Sequence, residues 1–154
     1  MRKYLLMVIA MITIAIGTIT LADIHETDAI SHPHPVKISR EDITGKIYER
    51  PDMVETTSNG NTTLDVTTLL SSDKKFASGM YRSGKLRFEV NEPYGVDEFF
   101  FIIEGRITLT SKDGTVTDIN PGEAVTIPKE WMGIWDTDGY SKIWVIYSED
   151  GSGL

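Results

Sequence analysis

The sequence predicts an all-β domain, a sandwich or barrel, behind an apolar leader and a polar arm. Three observations carry this. Residues 85–90, KLRFEV, alternate strictly, with Leu86, Phe88 and Val90 on one face and three charges on the other. The pairs Ser83-Gly84, Asp113-Gly114, Pro121-Gly122 and Asp138-Gly139 are turn signals that separate the apolar runs. No long stretch after residue 59 carries a helical period, and short strands punctuated by such turns mark sandwiches and barrels.

In chain order, residues 1–22 come first. Arg2 and Lys3 precede residues 4–22, YLLMVIAMITIAIGTITLA, which hold no charge and end in small residues. This is the pattern of a secretory signal peptide, with cleavage expected before Asp23. An uncleaved anchor is the alternative, because the run approaches the roughly 20 apolar residues that span a bilayer. Either way the remainder is expected outside the cytoplasm, in a periplasm or secreted, assuming bacterial export. Any membrane contact would then be limited to an uncleaved N-terminal segment.

Residues 23–59 read as a polar arm with Pro33 and Pro35. Ser39 and Asp42 have the spacing of a capping pair, so a short helical turn is expected there, stopped at Gly45. The β domain is expected over residues 60–150. Beyond KLRFEV its strands are predicted at residues 97–103 (DEFFFII), 106–111, 115–119, 124–127 and 142–147.

Composition excludes several functions. The chain has 154 residues, no cysteine, 15 basic and 23 acidic residues, and a formal net charge of -8. Without residues 1–22 it keeps 13 basic and 23 acidic residues, a charge of -10. That balance argues against nucleic acid as a partner, since phosphate backbones reward clustered Lys and Arg. Zero cysteine excludes disulfides, thiolate nucleophiles and Cys-ligated zinc.

Two segments narrow the fold. In EFFFIIEG a glutamate, Glu98, stands seven residues before Gly105, and in PGEAVTIP Gly122 stands six residues before Pro128. These spacings resemble the two motifs of the cupin superfamily. Residues 79–147 as a whole are similar to the subgroup containing ureidoglycine aminohydrolase-type and ethanolamine-utilisation cupins. The resemblance implies a double-stranded β-helix jelly roll and a homodimer.

The resemblance also implies a ligand set that this chain lacks. Metal-binding cupins supply two His before the first-motif Glu and a third after the second-motif Pro. Here those places hold Glu92 and Tyr94, or in the other register Asn91 and Pro93, and then Gly133. Of the usual four ligands only Glu98 is present, so no metal and no cofactor is expected. The three histidines, His25, His32 and His34, all fall in the arm. An extended, exposed HPHP segment is the expectation for the last two, since two imidazoles without further ligands hold a metal weakly.

Inward-facing candidates follow from the alternation and the resemblance. Glu92 and Tyr94 are expected to continue the Leu86, Phe88, Val90 face, with Glu98, Phe100 and Trp135 on the inner wall. Glu98 is the candidate acid or base, with Tyr94 or Tyr81 as proton donor; the alternative is a carboxylate that only closes the barrel. Trp131 and Trp135 bracket Gly133 and form either a stacking platform or rim packing. Tyr81, Arg82 and Arg87 are candidates for an acidic ligand, with Arg87 expected in an outer-face charge pair. Lys142 is read as reaching either Glu98 or solvent. A small polar metabolite held in the barrel without a His-ligated metal is the leading expectation. A small-molecule enzyme of the aminohydrolase type is the second.

Overall fold

The computed structural model describes residues 34–154. The leader, His25 and His32 lie outside the described residues. Residues 34–37 have no regular secondary structure and are exposed, His34 among them. The compact body runs Ile38–Leu154.

It opens with α1, Arg40–Ile43, a single turn whose capping box is formed as the spacing predicts: Ser39 Oγ accepts from the Asp42 N–H and Asp42 accepts from the Ser39 N–H. Gly45, with φ 119°, ends it and leads into a 3₁₀ turn, Lys46–Glu49. The eight strands are β1 (Val54–Ser58), β2 (Asn61–Leu70), β3 (Phe76–Ser83), β4 (Leu86–Val90), β5 (Asp97–Ser111), β6 (Val116–Ile119), β7 (Ala124–Ile127) and β8 (Gly133–Tyr147). All pairings are antiparallel. β1 begins inside the segment whose polar composition suggests an arm, because Thr and Val suit an exposed edge strand.

Two strands are longer than their sequence suggests, and they make the barrel. β5 joins the two runs predicted at residues 97–103 and 106–111, and β8 runs straight through Asp138-Gly139, read above as a turn. Both bend at one corner. The β5/β8 register slips between Ile102 and Glu104 and again between Arg106 and Thr108, as bulges do. At that corner Gly105 (φ 75°) lies against Gly139 (φ 134°), and a Cβ on Gly105 would stand 1.9 Å from the Gly139 carbonyl oxygen. The halves beyond the bend form two facing sheets, β1-β2-β3-β8-β5-β7 and β4-β8-β5-β6.

Between the sheets lies a core of Phe100, Ile102, Ile107, Leu109, Ile119, Ile127, Trp135, Tyr140 and Trp144. A second cluster on the outer face of the first sheet joins Val66 and Met80 to Ile47 and Tyr48 of the 3₁₀ turn. The segment before β1 therefore covers this sheet, burying both side chains. Among the described residues no helix is long and apolar enough to cross a membrane.

Candidate functional site

The alternation of β5 sends Glu98, Phe100 and Ile102 inward, while Phe99 and Phe101 remain exposed on the outside. In β8 the same period aims Tyr140, Lys142, Trp144 and Ile146 inward. Register then sets the neighbours: Ile102 opposes Lys142, and Glu98 opposes Ile146. Lys142 lies back along β5 and its Nζ donates to Glu98 Oε1 at 2.5 Å. Both side chains are withdrawn from water, at 7% and 2% exposure. The second carboxylate oxygen, Oε2, accepts from the Tyr94 hydroxyl at 2.5 Å.

Aromatic rings surround this chain of three groups. The Lys142 ammonium stands 4.6 Å from the Phe100 ring centre, 5.2 Å from Trp135, 5.6 Å from Tyr81 and 5.8 Å from Tyr140. All four lie within the range of cation–π attraction. The rings form a continuous wall, with Phe100–Trp135, Trp135–Tyr140 and Tyr81–Tyr140 centroids 5.5, 6.0 and 5.9 Å apart. Phe88, 40% exposed, stacks on Trp135 from the solvent side.

Burial drives the phenol of Tyr94 well above its usual range, and the neighbouring Glu98 charge adds to the effect. Tyr140 is raised well above its range, chiefly by burial. Burial also raises Tyr81, against its contact with Thr63. These phenols are therefore neutral donors at physiological pH. Asp65, opposite Tyr81 on β2, is raised by burial and held back by the Lys142 charge and the Trp144 indole. Two buried polar atoms of this interior find no partner among the described residues: Asp65 Oδ1 and the indole N–H of Trp135.

The structure thus brings together Glu98, Tyr94, Tyr81, Phe100 and Trp135, and decides that Lys142 points to Glu98. It does not bring in Glu92. β4 ends at Val90, since Pro93 carries no N–H to continue a ladder, and Glu92 remains exposed. Trp131 precedes β8; its N–H donates to Ser111 Oγ at 3.1 Å and its ring meets Tyr94 edge-on. The absence of a side chain at Gly133 leaves no opening: a Cβ there would lie 2.2 Å from the Thr110 carbonyl and 2.8 Å from the Trp131 ring. Arg87 pairs with Asp136 on the outer face, and Arg82 lies over Tyr48 and near Glu104, so neither enters the barrel. Sequence reasoning missed Asp65 and Tyr140. Tyr140 had a signal, because it shares the period of Lys142 and Trp144.

A His-ligated metal does not fit these residues. Glu98 is engaged at both oxygens, Glu92 points away, Gly133 offers no side chain, and no group of three His, Cys, Asp or Glu gathers among the described residues. Two cavities lie on the described residues: one, about 330 Å³, at the bend by Arg82, Glu104, Gly105, Gly139 and Tyr140, and another, about 430 Å³, by Gly95, Lys129 and Asp150.

Two bent strands shared by facing antiparallel sheets, with the motif glutamate inside, define a small jelly-roll domain. Residues 70–142 match the family model of the EutQ-like cupin domain. These residues form a domain of the EutQ-like cupin type, and the chain resembles EutQ-type cupins in fold. Among solved structures it is similar to the EutQ protein of Clostridium difficile, at 22% identity over 64% of this chain and 78% of that one, with a TM-score of 0.52. Ectoine synthase from P. lautus gives 15% identity over 66% and 72%, with a TM-score of 0.53. A protein of unknown function from Pseudomonas syringae gives 16% identity and a TM-score of 0.56, over 61% of this chain but only 43% of its own. These likenesses are of fold. No curated protein matches the sequence.

Proposed function

We propose that the protein binds a small polar metabolite in the barrel interior, without a His-ligated metal. The observation that carries this reading is the buried indole N–H of Trp135, which finds no acceptor among the described residues, packed as it is against the rings of Phe88, Phe100 and Tyr140. A buried donor without a partner costs about 1–3 kcal/mol, and a ligand oxygen would relieve it. Asp65 Oδ1, likewise unpartnered, calls for a donor. A molecule carrying a carbonyl or carboxylate oxygen together with an N–H or O–H meets both needs. Its way in is past Phe88, the one ring of the cluster left substantially open to solvent.

Calorimetry and thermal shift with a panel of small carboxylic acids, amides and hydroxy acids test this on the full chain. Saturable stabilisation that Trp135→Phe weakens by about tenfold, the equivalent of one hydrogen bond, supports the reading. No stabilisation by any member, or equal binding by Trp135→Phe, refutes it.

A second reading, an enzyme using Glu98 as acid or base, is favoured by one observation. Tyr94, Glu98 and Lys142 form an unbroken hydrogen-bonded chain along which a proton can pass. Turnover of a bound metabolite that Glu98→Gln abolishes while binding persists would establish it.

Export and self-association belong to the same proposal. The charge pattern of residues 1–22 supports delivery to a periplasm or the medium, and N-terminal sequencing with Asp23 first would bear it out. A homodimer is supported by the outer face of the first sheet, where Phe76, Phe99, Phe101 and Tyr147 are each at least 37% exposed. Sedimentation of wild type and Phe99→Glu would test it: a wild-type monomer, or a dimer unchanged by the substitution, removes that face as the interface.

A further inference from the structure

We propose that the interior of this barrel is a receptor for an ammonium group, and that the chain fills it with its own Lys142. An ion pair alone needs only Glu98. Here four rings from three strands, Tyr81 of β3, Phe100 of β5, and Trp135 and Tyr140 of β8, also face the nitrogen at 4.6–5.8 Å. A carboxylate backed by several aromatic faces is the arrangement that recognises alkylammonium ions. Lysine is seldom fully buried, and this one is withdrawn to 7% exposure because the cage supplies what water would.

The inference stands independently of any metabolite. It has two chemical consequences. Aromatic faces offer a transition metal no lone pairs, so the position beside Glu98 is selective for an ammonium over a metal. A cationic ligand finds the cage already taken, which restricts any metabolite to neutral or anionic molecules. Shortening Lys142 to alanine leaves an opening shaped to the lost atoms, and such cavities accept ligands of matching shape. For Lys142→Ala that ligand is n-propylammonium.

The first measurement is the melting temperature of full-length Lys142→Ala with n-propylamine hydrochloride, n-butanol, Mn²⁺ or Zn²⁺. Saturable stabilisation by the amine alone is expected. Equal stabilisation by butanol would reduce the cage to an apolar void, and stronger stabilisation by either metal would overturn the ammonium preference.

A second variant does not depend on Lys142→Ala folding. The chain has no cysteine, so Lys142→Cys can be alkylated at a single position while unfolded and then refolded. Alkylation with 2-bromoethylamine rebuilds a lysine-length ammonium, and alkylation with 1-iodopropane rebuilds the same shape without charge. The ammonium adduct is expected to melt higher than the propyl adduct by on the order of 10 °C. Equal melting temperatures would show that only filling matters and would refute the proposal.

Discussion

Replacing Lys142 with methionine, close in length and apolar, is the most informative single change in the barrel. It removes the donor to Glu98 Oε1 and leaves a carboxylate 2% exposed among Phe100, Trp135 and Tyr140, with Tyr94 as its remaining donor. Removing one member of a buried pair costs about 3–5 kcal/mol, because the other charge stays desolvated. For a body of this size, roughly 4 °C of melting temperature accompanies each kcal/mol, so Lys142→Met should melt about 12–20 °C below wild type. Adding Glu98→Gln removes the stranded charge and keeps an oxygen for the Tyr94 hydroxyl. The double variant should therefore recover to within about 2 kcal/mol of wild type. Urea unfolding of the four proteins in the cycle gives the coupling directly, expected at more than about 2 kcal/mol. Additive losses, or a Lys142→Met cost below about 1 kcal/mol, would refute the reasoning, because they would mean that water reaches Glu98.

Three further outcomes are expected. Tyr94→Phe removes only the hydroxyl on Glu98 Oε2 and should cost about 1.5–3 kcal/mol by urea unfolding, whereas Glu92→Gln, on the exposed side, should change stability by less than about 0.5 kcal/mol. Gly105→Ala places a methyl against the Gly139 carbonyl at φ 75° and should cost about 2–4 kcal/mol, whereas Gly114→Ala, at φ 85° with nothing within 4 Å of its Cβ, should cost only the left-handed strain of about 1–2 kcal/mol. Asp150 is held down to about 2 from 3.8 by hydrogen bonds from Ser152 and Ser148. A depressed folded pKa means that the carboxylate stabilises the C-terminal loop above about pH 4 and ceases to as pH falls towards 2. Between those limits wild type should lose stability that Asp150→Asn does not lose, and matching acid titrations of the two would count against the loop contact.

Much of the fold was legible because period and turn chemistry are local. The KLRFEV alternation, the Ser39–Asp42 capping box and the spacing of Glu98 to Gly105 each depend on residues within a few positions of one another. Asp138-Gly139 misled for the same reason. The pair suits a tight turn, and only contact with Gly105 of β5 shows that the glycine serves a bend within a strand. Glu92 misled because alternation was carried past Val90, where Asn91 and Pro93 end the ladder.

The sequence alone determined that the domain is β, that Glu98 and Phe100 share a face, and that the imidazoles of a His-ligated metal site are missing from the barrel. Those are matters of residue type and of period along one strand. What only tertiary structure decided is the partner of Glu98. Lys142 lies 44 residues away, and whether it reaches the carboxylate or solvent depends on the antiparallel register of β5 and β8 and on where two bulges shift it. The filling of the interior was decided in the same way. Trp131 over Gly133 and Trp144 over Gly79 close spaces that a single strand leaves open, because packing pairs large and small side chains across strands.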